Sequence, residues 1–143
     1  MKIKDVMTDA VEFVHPKDSV RKAAQKMERI NVGEIPILDD DLEAVGILTD
    51  RDIAVRLVAA GMDPDQTTVD KIMTRSPIFC REDDPVQTAA ELMKEHQVRR
   101  LLVHDEVGKF AGVVSLGDFA LKAKEALSAD ILKEVSKGLE EKS

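Results

Sequence analysis

Two heptapeptides, GILTDRD at 46–52 and GVVSLGD at 112–118, carry Gly, a hydroxyl residue and Asp at the same spacing, 66 residues apart. If each is a strand running into a helix, Thr49 and Ser115 stand at the N-cap, with Asp52 and Asp118 three residues on, beside the positive end of the helix dipole. Such a turn serves two ends. One is helix capping. The other is binding: a carboxylate accepts from two neighbouring hydroxyls, and a helix N-terminus offers free N–H groups to a phosphate. Arg51, Arg99 and Arg100 can add bidentate, charge-assisted bonds. Two details weigh against capping alone. A capping box normally carries Glu or Gln at its third helical position, and Asp is shorter and less able to reach back. Gly117, in the first turn of the second helix, costs roughly 1 kcal/mol relative to Ala, a cost that close approach of a ligand to the backbone would explain.

The elements that position these turns are duplicated too. A shift of 66 lays residues 3–56 on 69–122 without a gap, with 13 identities in 54 pairs and apolar exchanges at about a third of the others, so the chain holds two copies of one supersecondary unit. In the first copy a helical turn around KDVMT precedes the strand AVEFV. A helix follows, with Val20, Ala23, Ala24, Met27 and Ile30 at helical spacing and Asp18 as expected N-cap. In the second, Asp84 caps and Pro85 takes the first helical position. EIPIL and AVGIL, then RLLVH and FAGVV, read as strand, turn, strand, and a helix closes each copy. The pattern is β-α-β-β-α twice, an α/β (α+β) fold. Each unit alone has a marginal core, so the two are expected to join about a pseudo-twofold axis. The expected organisation is repeat 1 over 1–61, a linker over 62–68, repeat 2 over 69–125, and a C-terminal helix with charged tail over 126–143.

Composition narrows the function classes. At 143 residues and 43% hydrophobic the chain can bury a core, and with no Trp or Tyr that core must be aliphatic. A net charge of −7 argues against a general nucleic-acid surface. No apolar run approaches the ~18 residues that span a bilayer, and MKIKDVMTDA lacks the apolar centre of a signal peptide, so a cytoplasmic location is expected. Cys80, in PIFC, reads as a buried free thiol. Met7, Met27, Met73 and Met93 read as core gap-fillers. DDDLEAVGILTD resembles a calcium loop only superficially, since Ala44 stands where Gly is required and Asp50 where Glu belongs; it reads as a turn. His15, His96 and His104 lack neighbours at zinc spacing. No metal site is expected, and no nucleophile elbow, phosphate loop or Cys-His constellation marks an enzyme.

Taken together, DVMT and KIMT, VGEIPILDDD and HQVRRLLVHDE, and the two closing turns resemble a tandem pair of CBS domains, the module named after cystathionine β-synthase, over residues 1 to about 125. The resemblance implies a stand-alone Bateman module that binds AMP, ADP, ATP or a related adenosyl compound as a regulatory sensor. Asp takes the ribose hydroxyls, Ser or Thr lies near the phosphates, and the base slips between aliphatic side chains of the partner repeat. Carried over, one cleft uses Thr49, Arg51 and Asp52 with Ile78, Val98 and Arg99. The other uses Ser115 and Asp118 with Val32 and Arg100. Arg51 and Arg99 make the Asp52 cleft the expected phosphate site, although Glu34, which matches Arg100, adds an acid to it. Gly117 replaces Arg51 beside Asp118, so that cleft is expected to be empty or nucleoside-sized. The resemblance also implies a homodimer through the closing helices and an effector protein that reads the ligand state. The competing reading is a scaffold module whose clefts bind nothing.

Overall fold

The computed structural model describes residues 1–75, 77–122 and 125. The expected C-terminal helix and tail therefore lie outside the described residues. A 3-10 turn, Ile3–Asp5, leads to α1, Val20–Ile30; β1, Glu34–Leu38, and β2, Ala44–Thr49, follow; α2, Asp50–Asp52, continues as a π-helix over Ile53–Val58. The second half repeats this order. A 3-10 turn, Val69–Lys71, precedes β3, Thr74–Arg75, and β4, Phe79–Arg81; then come α3, Val86–His96, β5, Arg100–His104, and β6, Phe110–Ser115. Residues 116–122 form the start of α4.

Both long helices follow from their apolar spacing, with Val20, Ala23 and Met27 buried on α1 and Ala89 and Met93 on α3. Each ends on a left-handed residue, Asn31 at φ 56° and Gln97 at φ 55°. Their starts differ from expectation by one residue. Ser19, not Asp18, is the N-cap of α1, accepting from the Lys22 N–H at 3.1 Å, and Pro85 holds the N-cap of α3 without a side-chain bond. Asp18 and Asp84 instead accept the N–H groups of His15 and Arg81, at 2.9 and 3.0 Å, and so close the turn ahead of the helix.

Two three-stranded sheets form, ordered β1-β2-β3 and β4-β5-β6. Within the second, β4 runs parallel to β5 while β6 is antiparallel to it. The strand expected at AVEFV is the counterpart of β4, yet it contributes a single parallel bridge, Val14 to Ile37. Proline explains the loss. The Leu102 N–H bonds the Ile78 carbonyl at 3.1 Å, but the matching position in the first half is Pro36, which has no N–H for Glu12.

The halves exchange their opening segments. β3 pairs with β2, placing Thr74 opposite Ile47, and the matching Thr8 bridges Val113 of β6 through N–H···O bonds of 2.9 and 3.0 Å. Side chains follow the backbone. Val69, Ile72 and Met73 are buried with Val14, Val20, Ile35 and Leu48, whereas Ile3 and Val6 are buried with Cys80, Leu101 and Val114. Each isolated bridge maps onto a pairing of the other half under the 66-residue shift, as a pseudo-twofold axis requires. Glu34 and Arg100, which match one another, form an ion pair of 3.1 Å and so straddle that axis.

The crossing explains the first letter of the repeated motif. A Cβ at Gly46 would lie 2.7 Å from Met73 Sδ and 2.9 Å from the Thr74 carbonyl oxygen; one at Gly112 would collide with the Thr8 carbonyl oxygen. Gly112→Ala is expected to cost about 3 kcal/mol, because only backbone can yield there, and Gly46→Ala about 2 kcal/mol, because the Met73 thioether can turn aside and the Thr74 carbonyl need shift only slightly. Urea denaturation midpoints check both the size and the order.

Candidate ligand-binding cleft

At both closing turns the backbone and side chains form a reciprocal cap. Thr49 N–H donates to Asp52 Oδ2 at 3.0 Å, and Asp52 N–H donates to Thr49 Oγ1 at 3.0 Å. Ser115 N–H donates to Asp118 Oδ2 at 2.9 Å, and Asp118 N–H to Ser115 Oγ at 3.0 Å. The expectation that Asp is too short for this is corrected. An extended N-cap, Thr49 at φ −112° and ψ 159°, turns its own N–H toward the third helical residue, and Lys2 with Asp5 repeats the geometry at 2.9 Å. The Asp50 and Leu116 N–H groups are also taken, by the carbonyls of Gly33 and Arg99 at 2.9 and 2.8 Å.

Beyond the cap, the two turns part. Asp52 is 6% exposed; Thr74 Oγ1 lies 3.2 and 3.3 Å from its oxygens, and Arg56 Nε lies 3.7 Å from Oδ1. Arg56 also donates to the Met73 carbonyl at 3.2 Å, which ties the exchanged segment to the carboxylate. Asp118 is half-buried, and its Oδ1 has no bonding partner among the described residues.

A cavity of about 450 Å3 opens at Asp118 between the repeats. The first repeat supplies apolar walls, Ile30, Val32, Pro36 and Ile47, together with Thr8, Glu12 and Glu34; the second supplies Arg100, Leu102, Val113, Ser115 and Asp118. Its size lies within the range of small-molecule sites. The four residues expected in the second cleft, Val32, Arg100, Ser115 and Asp118, therefore meet. Of the residues expected with Asp52, Ile78 and Val98 are half-buried against the second core, and Arg51 and Arg99 are exposed.

The charges of the cavity are paired across its width. Glu34 bonds Arg100 over the axis, and Glu12 accepts from Arg29 Nη2 at 2.9 Å. Burial pushes the Glu34 carboxyl above its ordinary value, against the pull of the Arg100 guanidinium. Outside the cavity, burial pushes the Cys80 thiol up to about 12 and lowers the His104 imidazole, which stacks on Phe79 at 3.9 Å.

Sequence reasoning missed Thr8, Glu12 and Ile30. The signal for Glu12 was present, since shifting Ile78 back by 66 lands on it. A Cβ at Gly117 would meet only Ser115 Oγ, at an ordinary 3.6 Å, so no neighbour among the described residues requires glycine there.

Two outcomes follow from this geometry. Arg100→Gln leaves the Glu34 carboxylate without its cation and is expected to cost about 1–2 kcal/mol at pH 7, after allowance for partial exposure. Because the folded value of Glu34 is raised, ionisation opposes folding; the loss grows as pH rises through that value and vanishes below the ordinary 4.5. Denaturation of both proteins across that range checks the sign. Gly117→Ala is expected to stabilise by about 0.5–1 kcal/mol, since the position is helical and open. A fall in melting temperature in that variant would contradict the placement.

The CBS domain family model matches residues 3–59 and 69–125. The chain is 39% identical over 119 residues to the CBS domain-containing protein YhcV of Bacillus subtilis, covering 83% of each. Among solved structures it resembles CBS domain protein PAE2072 from Pyrobaculum aerophilum complexed with AMP, at 27% identity and a TM-score of 0.74 over 82% of this chain and 89% of that one. It also resembles the CBS domain pair of protein MJ0100 in complex with 5′-methylthioadenosine and S-adenosyl-L-methionine, at 28% identity and a TM-score of 0.76 over 88% and 98%. With two matched modules, an internal pseudo-twofold axis and relatives that span its length, this chain belongs to the CBS domain family, as a tandem pair.

Proposed function

We propose that the protein is a cytoplasmic regulatory sensor that holds an adenosyl ligand in the Asp118 cleft and performs no catalysis. The observation that carries this reading is the cavity between the repeats, where Asp118 Oδ1 is left over after the cap is complete. A ribose diol donates to that oxygen, Ser115 lies beside it, and a purine fits against Val32 and the aliphatic wall of the first repeat. The complexes of PAE2072 and MJ0100 support the ligand class. No cofactor is required.

Such a ligand touches both repeats and biases their relative orientation by its differential affinity, typically ~1–3 kcal/mol of coupling. Exposed Val55 and Val58 on the first closing helix, with Leu116 and Leu121 on α4, favour pairing of two copies, and an effector protein reads the result. For the Thr49/Asp52 turn, the buried carboxylate clasped by Thr74 and Arg56 favours the scaffold reading: that half holds the exchanged segment in place. No described helix is long and apolar enough to cross a membrane.

The test is thermal stability in the presence of adenosine, AMP, ADP, ATP, 5′-methylthioadenosine, S-adenosylmethionine and NAD. A ligand at 100 times its Kd is expected to add ~2.7 kcal/mol to the folded state. Asp118→Ala abolishes that gain and Asp52→Ala keeps it. A gain that survives Asp118→Ala moves the ligand to another site, and no gain with any of these compounds leaves the scaffold reading for both halves.

A further inference from the structure

We propose that the juxtaposition of Glu12, Glu34 and Asp118 around one cavity makes it selective for adenosyl ligands that are neutral or cationic at the 5′ position, over phosphorylated ones. This rests on the adenosyl reading above and goes further by naming the charge class.

The cations that would stabilise a phosphate are already engaged. Arg100, the cation on the cavity wall, is held by Glu34 at 3.1 Å, and Arg29 at the rim is held by Glu12 at 2.9 Å. Of the first N–H groups of α4, Leu116 donates to the Arg99 carbonyl and Asp118 to Ser115 Oγ. Asp118 brings a third carboxylate, matched by no cation among the described residues. Apart from Thr8 and Ser115 the remaining walls are aliphatic, which limits screening by water and strengthens repulsion between these carboxylates and a phosphate dianion. A nucleoside, a thioether nucleoside or a sulfonium nucleoside meets no such repulsion; a sulfonium is attracted. The relation between the halves sharpens the point. Position 12 of the first repeat is an acid where its counterpart, Ile78, is apolar, so the negative character belongs to this cleft and is not a property of the repeat.

Calorimetric titration of the full chain at low ionic strength tests the proposal with adenosine, 5′-methylthioadenosine, S-adenosylmethionine, AMP and ATP. The first three are expected to bind at least about tenfold tighter than AMP, with the gap closing as salt rises. Glu34→Gln, which releases Arg100, is expected to raise AMP affinity about tenfold while adenosine stays within about twofold; Glu12→Gln at the rim, releasing Arg29, raises it about threefold. AMP or ATP binding the wild type as tightly as adenosine overturns the selectivity while the adenosyl reading stands. Unchanged AMP affinity in both variants overturns the assignment to these carboxylates. Binding by none of the five overturns the adenosyl reading and the selectivity with it.

Discussion

Each half of this protein completes the hydrophobic core of the other. Ile3 and Val6 open the first repeat and are buried in the second core, while Val69, Ile72 and Met73 open the second and are buried in the first. Neither repeat can therefore retain its full apolar burial alone, and at about 55 residues neither has surface to spare. The backbone crossings above Gly46 and Gly112 hold the exchange in register, because a side chain at either position would displace the incoming strand. The pseudo-twofold axis, the cleft between the halves and the pairing of Glu34 with Arg100 all follow from that exchange.

A symmetric frame here carries unequal contents. Arg56 forks between the buried Asp52 carboxylate and the Met73 carbonyl, so one guanidinium faces the acid and fastens the exchanged segment. Its counterpart is Lys122, which lies 3.5 Å from Glu125 and makes no ion pair with Asp118. An ammonium has no planar fork with which to satisfy two partners at once. Proline adds the second asymmetry. With Pro36 unable to donate, residues 10–13 leave the sheet, and Ala10, Val11 and Glu12 line the cavity in place of a strand. One half carries a clasp on its carboxylate, and the other a cavity lined by residues 10–12.

Capping and binding are compatible because a carboxylate has two oxygens. Oδ2 of each Asp is spent on the backbone N–H of its N-cap; what remains depends on Oδ1. In Asp52 that oxygen faces Arg56 and Thr74, and in Asp118 it is unclaimed among the described residues. The recurring Gly, hydroxyl and Asp thus have separate reasons: clearance for a crossing backbone, an N-cap, and a reciprocal acceptor. Only the last has capacity left for another task.

The letters alone determined the duplication, the order of helices and strands, the family, and the four residues Val32, Arg100, Ser115 and Asp118 that come together. These are properties of spacing, and spacing survives without coordinates. Helix starts slipped by one residue because Asp18 and Asp84 satisfy a preceding N–H rather than the helix, a choice between nearby donors that composition does not reveal. The missing first strand was legible in principle, from Pro36 opposite Glu12, once the register of a parallel pair was known. The cavity beside Asp118 was decided only in three dimensions. So were the reach of Arg56 to a segment 17 residues away and the pairing of Glu34 with Arg100. Such choices are made by distance between side chains on different elements, and packing sets those distances.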